Sequence, residues 1–309
     1  ETVALCFHLV LLACTVGDVP LGGATIDPPS EPHLSRVVIP LRLREVVLQN
    51  TLCRSFTAMV SVGSPTQLFE VLVDTGSNRL WLPFETCRAP ACLAHARYNP
   101  VESSTAQPLE PLHVKGGFAS GELLGHVVRD EVCFGVHSES RICSTFDFLA
   151  ADHESDFPFE HAQFDGILGL GLPSLSATAG ATILEEFPAY GLRMLSLRLG
   201  SDGGELVFAS DEENLHRSGI LWVPLSPMAN MDGYWIMQVT EVRMGGEQVH
   251  CARNLCMAAV DSGAGFMVGP LWGVYHIKEA FRSAGNCVDV ERLPEIEFEL
   301  QGAAGPVTL

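Results

Sequence analysis

Two short stretches of this chain carry residues that could do chemistry together: Val71-Leu72-Val73-Asp74-Thr75-Gly76-Ser77 and Ala258-Ala259-Val260-Asp261-Ser262-Gly263-Ala264. Each is an apolar run that ends in an aspartate, a small hydroxyl residue and a glycine. An ionised carboxylate on an apolar β run is costly unless a neighbour stabilises it or its pKa rises. Two such aspartates make sense as each other's neighbours, because carboxyls held a few ångströms apart share one proton and titrate as a pair. The ionised member can accept a proton while the protonated member donates a hydrogen bond, which is general acid–base chemistry. The hydroxyl and the glycine let the chain turn sharply and bring backbone N–H groups to the carboxylate.

A lone Asp-Thr-Gly is ordinary turn chemistry, so the weight lies in the repetition and its surroundings. The first copy runs on into Leu80-Trp81-Leu82-Pro83 and the second into Phe266-Met267-Val268-Gly269-Pro270. Phe164-Asp165-Gly166-Ile167-Leu168-Gly169-Leu170-Gly171 follows the first at a distance. With these motifs the chain resembles the pepsin-like, two-lobed aspartic proteases, whose lobes each contribute one catalytic Asp. Further likenesses are Cys87 and Cys92 followed by Tyr98-Asn99-Pro100, Gly219 to Leu225 with Gly233-Tyr234-Trp235, and Leu293 to Phe298.

The resemblance implies an all-β, bilobal pepsin-like fold with the second lobe truncated after Leu309. It implies Asp74 and Asp261 as the catalytic pair, with Thr75 and Ser262 interlocking the two loops. Gly76 and Gly263 would let a substrate backbone come close, and Ser77 would hydrogen-bond Asp74 and favour its ionised form. Small disulfide loops are implied at Cys87–Cys92 and Cys251–Cys256. Cys133 with Cys143 could close a hairpin, but the pairing of these two, of Cys53 and of Cys287 stays open. The implied substrate is an extended peptide or protein, hydrolysed by a monomer without a cofactor.

Three positions depart from the family's pattern. Ala264 stands where many relatives carry a hydroxyl residue, so Asp261 loses a donor and the pair is expected to titrate higher, with activity reaching toward neutral pH; Gly265 replaces another usual hydroxyl residue. His113 to Gly121 aligns with the flap, the hairpin that closes over substrate. That puts Val114, beside Gly116 and Gly117, at the family's tyrosine, and Val114 has no phenol to offer Trp81. Phe118 would serve in part as an apolar lid. These departures keep a rival in view, a non-catalytic peptide-binding member of the same fold; a third possibility is a truncated product without function.

Composition agrees with a folded β protein. The chain has 309 residues, 47% hydrophobic and 18% charged, enough for two sizeable cores. The 29 glycines and 19 prolines break it into short β-branched and aromatic runs. Helical stretches are expected to be few, with Ala181 to Tyr190 and Tyr275 to Ala284 the best candidates. A net charge of −19, with Lys115 and Lys278 the only lysines, argues against nucleic acid and is compatible with work in acid. Ten cysteines and 11 histidines form no H-E-x-x-H or paired C-x-x-C pattern, so disulfides, not metal, are expected.

Residues 1–24, with the apolar run Val3 to Cys14, read as a signal peptide, which implies the secretory pathway. Residues 25–49 read as a linker with a short prosegment, since Arg36 to Arg44 places three arginines on an apolar strand like the family's basic first strand. An N-terminal lobe over 50–217 and a C-terminal lobe over 218–309 complete the expected division.

Overall fold

The computed structural model describes residues 11–15, 34–48, 51–107, 109, 113–118, 121–135, 141–175, 182–213, 220–251, 256–283 and 294–309. Most of the leader and linker, the flap tip at 119–120 and Cys287 lie outside them. The first strands are β1 (Leu11–Thr15), β2 (Arg36–Leu48), β3 (Thr51–Val62), β4 (Gln67–Asp74) and β5 (Leu80–Pro83). Next come β6 (His113–Phe118), β7 (Gly121–Phe134), β8 (Ile142–Glu154), β9 (Gly166–Gly169), β10 (Met194–Gly200) and β11 (Gly203–Ala209). The remainder are β12 (Ile236–Met244), β13 (Glu247–His250), β14 (Cys256–Ala259), β15 (Ile296–Gly302) and β16 (Gly305–Thr308).

Strands β1 to β11 form one sheet in the order β1-β10-β11-β2-β3-β4-β9-β5-β8-β7-β6, and a further pairing of β3 with β7 curls its centre back on itself. Strands β12 to β16 form a second sheet. The centre of the large sheet is apolar on both sides, which is why β9 and the end of β4 read as unbroken hydrophobic runs. Its core joins Val60, Phe69, Val71, Phe134, Phe148, Leu168, Phe187, Phe208 and Trp235 in one cluster.

The arginine-bearing segment is built into this sheet. Strand β2 lies between β11 and β3, with Val37, Ile39 and Leu41 facing the core. On its other face Arg44 makes two hydrogen bonds to Glu70, which also accepts from Thr57. Leu11–Thr15, inside the expected leader, pairs antiparallel with β10 as β1.

The two expected helical segments differ in detail from their reading. The first divides into an α turn at Ile183–Glu186 and a 3-10 turn at Phe187–Tyr190, because Pro188 lacks the amide needed to continue the α pattern. The second begins earlier, at Leu271 directly after Pro270, and runs to Ser283. Among the described residues no helix is long and apolar enough to cross a membrane.

Candidate active site

Asp74 is the last residue of β4, and the strand beneath it fixes the turn that follows. β9 runs parallel to β4, pairing Asp74 with Gly169, and antiparallel to β5 on its other edge. Just past β9 the backbone hooks under the loop: Leu170 N donates to Asp74 O at 2.7 Å and Gly171 N to Ser77 O at 2.6 Å. Trp235 links this support to the second motif. Its indole Nε1 donates to Leu170 O at 2.8 Å, while its carbonyl accepts from Val260 N at 3.0 Å. One buried tryptophan thus joins the underside of the first loop to the residue before Asp261.

The two loops are cross-bonded. Thr75 N donates to Ser262 Oγ at 3.1 Å, and Ser262 N donates to Thr75 Oγ1 at 2.9 Å. Each hydroxyl then reaches past the other loop's aspartate: Thr75 Oγ1 donates to Val260 O at 2.8 Å and Ser262 Oγ to Val73 O at 2.7 Å. Each hydroxyl accepts one bond and donates one, so neither is left unsatisfied.

This lock holds the carboxyls face to face. A Cβ built on Gly76 would lie 2.6 Å from Asp261 Oδ2, and one on Gly263 would lie 2.3 Å from Asp74 Oδ1. Only glycine allows each loop to pass the opposite carboxyl that closely. The environments differ. Asp74 is 5% exposed and accepts from Ser77 Oγ at 2.5 Å and Gly76 N at 2.9 Å. Asp261 is exposed, and its Oδ1 accepts only backbone donors, Gly263 N at 2.9 Å and Ala264 N at 3.2 Å. Burial pushes the Asp74 carboxyl well above the usual range; Ser77 opposes this, while the neighbouring carboxyl of Asp261 adds to it. The help Ser77 was expected to give the ionised form is present, but burial outweighs it.

The segment expected to form the flap is a hairpin of β6 and β7, in which Gly116 pairs with Leu123 and Gly117 with Glu122. Gly116 rests on the indole of Trp81, where an added Cβ would approach Cζ2 to 2.7 Å. Val114, two residues away on the same face, packs into an apolar cluster with Leu72, Trp81, Leu123 and Ile167. Lys115 faces the other way, 2.7 Å from Glu122 at the surface. The flap base is therefore closed by apolar contact where the resemblance leads one to expect a phenol.

Comparison with known proteins fits this geometry. The model of the eukaryotic aspartyl protease family matches residues 55–309. The chain belongs to this family. It is 32% identical to pepsin A of Bos taurus over 278 residues, which are 85% of this chain and 72% of that one. It is 30% identical to pepsin A of Canis lupus familiaris over 275 residues, covering 84% and 68%, and 29% identical to pepsin A of Callithrix jacchus over 297 residues, covering 92% and 74%.

In this member of the family Cys87 and Cys92 are joined, as are Cys251 and Cys256. Cys133 and Cys143, left open in the sequence, form a third disulfide across β7 and β8. The sequence reading missed Glu154, the last residue of β8. It is 6% exposed and lines a narrow cavity beside the flap with Trp81, Leu123, Phe159, Phe164 and Ile167. No simple alternation in β8 marks it: a bulge at Asp152 puts Glu154 opposite Leu123, on the face of Leu149 and Ala151 and not on that of Phe146 and Phe148.

Proposed function

We propose that the protein is an aspartic endopeptidase that hydrolyses extended polypeptide substrates with a water activated between Asp74 and Asp261. The observation that supports this best is the mutual lock of Thr75 and Ser262, which holds two carboxyls side by side across separate loops. The pair shares one proton. Its ionised member takes a proton from water, and its protonated member hydrogen-bonds the scissile carbonyl. The attack gives a tetrahedral gem-diol, and return of a proton to the amide nitrogen releases two peptides. The flap supplies strand edges for main-chain hydrogen bonds to an extended chain. Both aspartates come from one chain, so a monomer suffices. Three disulfides fit an extracellular or lumenal environment, and the proposed route is the secretory pathway.

The test is cleavage of a mixed peptide library from acidic to neutral pH, with and without pepstatin, beside Asp74→Asn. Cleavage abolished by both supports the reading; cleavage that survives Asp74→Asn refutes it. A second reading, a non-catalytic peptide-binding member of the family, is favoured by Val114 on the flap and by the lack of a hydroxyl at Ala264. Binding of peptides without turnover by the folded protein would select it.

A further inference from the structure

Glu154 carries a carboxyl that the dyad chemistry does not use. It stands opposite Leu123 of the flap hairpin, with aromatic and aliphatic walls around it. Burial pushes its carboxyl up to about 7. Among the described residues no cation, hydroxyl or backbone N–H hydrogen-bonds to it. The other titratable groups on this cavity are engaged elsewhere. His95 Nε2 lies 2.8 Å from Phe159 O, and Asp165 accepts from Glu70 N and Ala96 N, each at 2.9 Å. A buried carboxyl without a partner is expensive, and a ligand that brings the partner recovers that cost.

The cavity is placed to meet substrate. Trp81 is one of its walls and also the surface on which Gly116 of the flap rests. An extended peptide under the flap turns alternate side chains to opposite sides, and one of them, on lifting the flap from Trp81, enters here. We propose that Glu154 is a specificity-determining residue whose carboxylate selects a lysine or arginine side chain of the substrate in this cavity. The inference rests on the endopeptidase reading. The aliphatic stem of such a side chain suits the walls, and its cationic tip supplies the partner Glu154 lacks. The net charge of −19 draws basic peptides toward the molecule as a whole.

The experiment compares peptides that carry lysine or norleucine at each position flanking the scissile bond. Norleucine keeps the stem and removes the cation. Wild type and Glu154→Gln are assayed at pH 5 and pH 7, with unfolding curves to show that both are folded. At one position wild type is expected to favour lysine by roughly tenfold or more in kcat/KM, increasingly so at the higher pH. Glu154→Gln is expected to lose most of that preference and its pH dependence. An unchanged lysine-to-norleucine ratio in folded Glu154→Gln overturns the role of Glu154 and leaves the endopeptidase reading intact. If folded wild type cleaves no peptide at all, the endopeptidase reading falls. Calorimetry of the same peptides with a reduced, uncleavable bond then decides the inference separately, and equal or undetectable affinity for the lysine and norleucine forms overturns it.

Discussion

Ser77 and Ala264 occupy equivalent places after the two aspartates, yet only one can donate from its side chain. Ser77 Oγ bonds Asp74, whereas Ala264 offers Asp261 only its backbone N–H. Ser77→Ala should therefore raise the Asp74 carboxyl further, since it removes a donor that favours the charged form. The acid limb of the kcat/KM profile is expected to move to higher pH, with activity in acid lower by about tenfold or more and the loss shrinking toward neutrality. An acid limb that stays in place would show that Ser77 does not tune the pair. At this scale the sequence was informative where chemistry is local: Asp, hydroxyl and Gly sit in one turn, so their contacts follow from their order. Glu154 was not read from it, because its meaning depends on Trp81, Phe159 and Phe164, which only the fold brings around it.

Among the elements, β2 is the strand expected to belong to a prosegment. A basic strand on an apolar stretch suggests a detachable prosegment, but hydrophobic periodicity cannot say where a strand sits in a sheet. Here β2 lies mid-sheet, and Val37, Ile39 and Leu41 are 0%, 1% and 5% exposed. Burying each contributes about 1.5–3 kcal/mol, and removing the strand would also bare the hydrogen-bonding edges of β3 and β11. A chain that begins at Asn50 is therefore expected to lose cooperative unfolding, or to melt well below one that begins at Leu34, and to gain no activity. Equal melting temperatures with higher activity in the shorter chain would restore the prosegment reading. Arg44 and Glu70 are consistent with a permanent strand, since Glu70 is itself held from the far side by Asp165. The β9 segment, by contrast, was legible from its glycines and apolar run, because a buried strand under the Asp74 loop tolerates little else.

At the scale of the molecule, opposing carboxylates set the pH at which the fold is most stable. Burial raises Glu154 to about 7, and it also raises Asp74 and Glu186. An unfolded chain releases these protons near pH 4 to 4.5, as ordinary carboxylates do, so the folded state holds more protons between that range and about 7. Stability from these groups is complete below that window and falls as pH rises through it. Glu70 acts the other way: burial alone would raise it, but hydrogen bonds from Arg44 and Thr57 and the charges of Arg44 and Arg42 leave it lowered. Its contribution is present above the ordinary carboxylate range and is lost as pH falls through its lowered value. The net charge of −19 adds self-repulsion at neutral pH that acid relieves. The unfolding free energy is thus expected to peak in mild acid, at about pH 4.5 to 5.5, and to decline toward pH 7.5. Glu154→Gln isolates one share of that decline: between pH 5 and 7.5 the wild type should lose roughly 2 kcal/mol more than the variant, since most but not all of the proton release separating the folded from the unfolded carboxyl falls in that interval, at about 1.4 kcal/mol per pH unit. Urea unfolding at each pH measures it. Parallel curves for the two proteins would mean that Glu154 reaches solvent in solution, and would remove the burial on which both its stability effect and its selectivity depend.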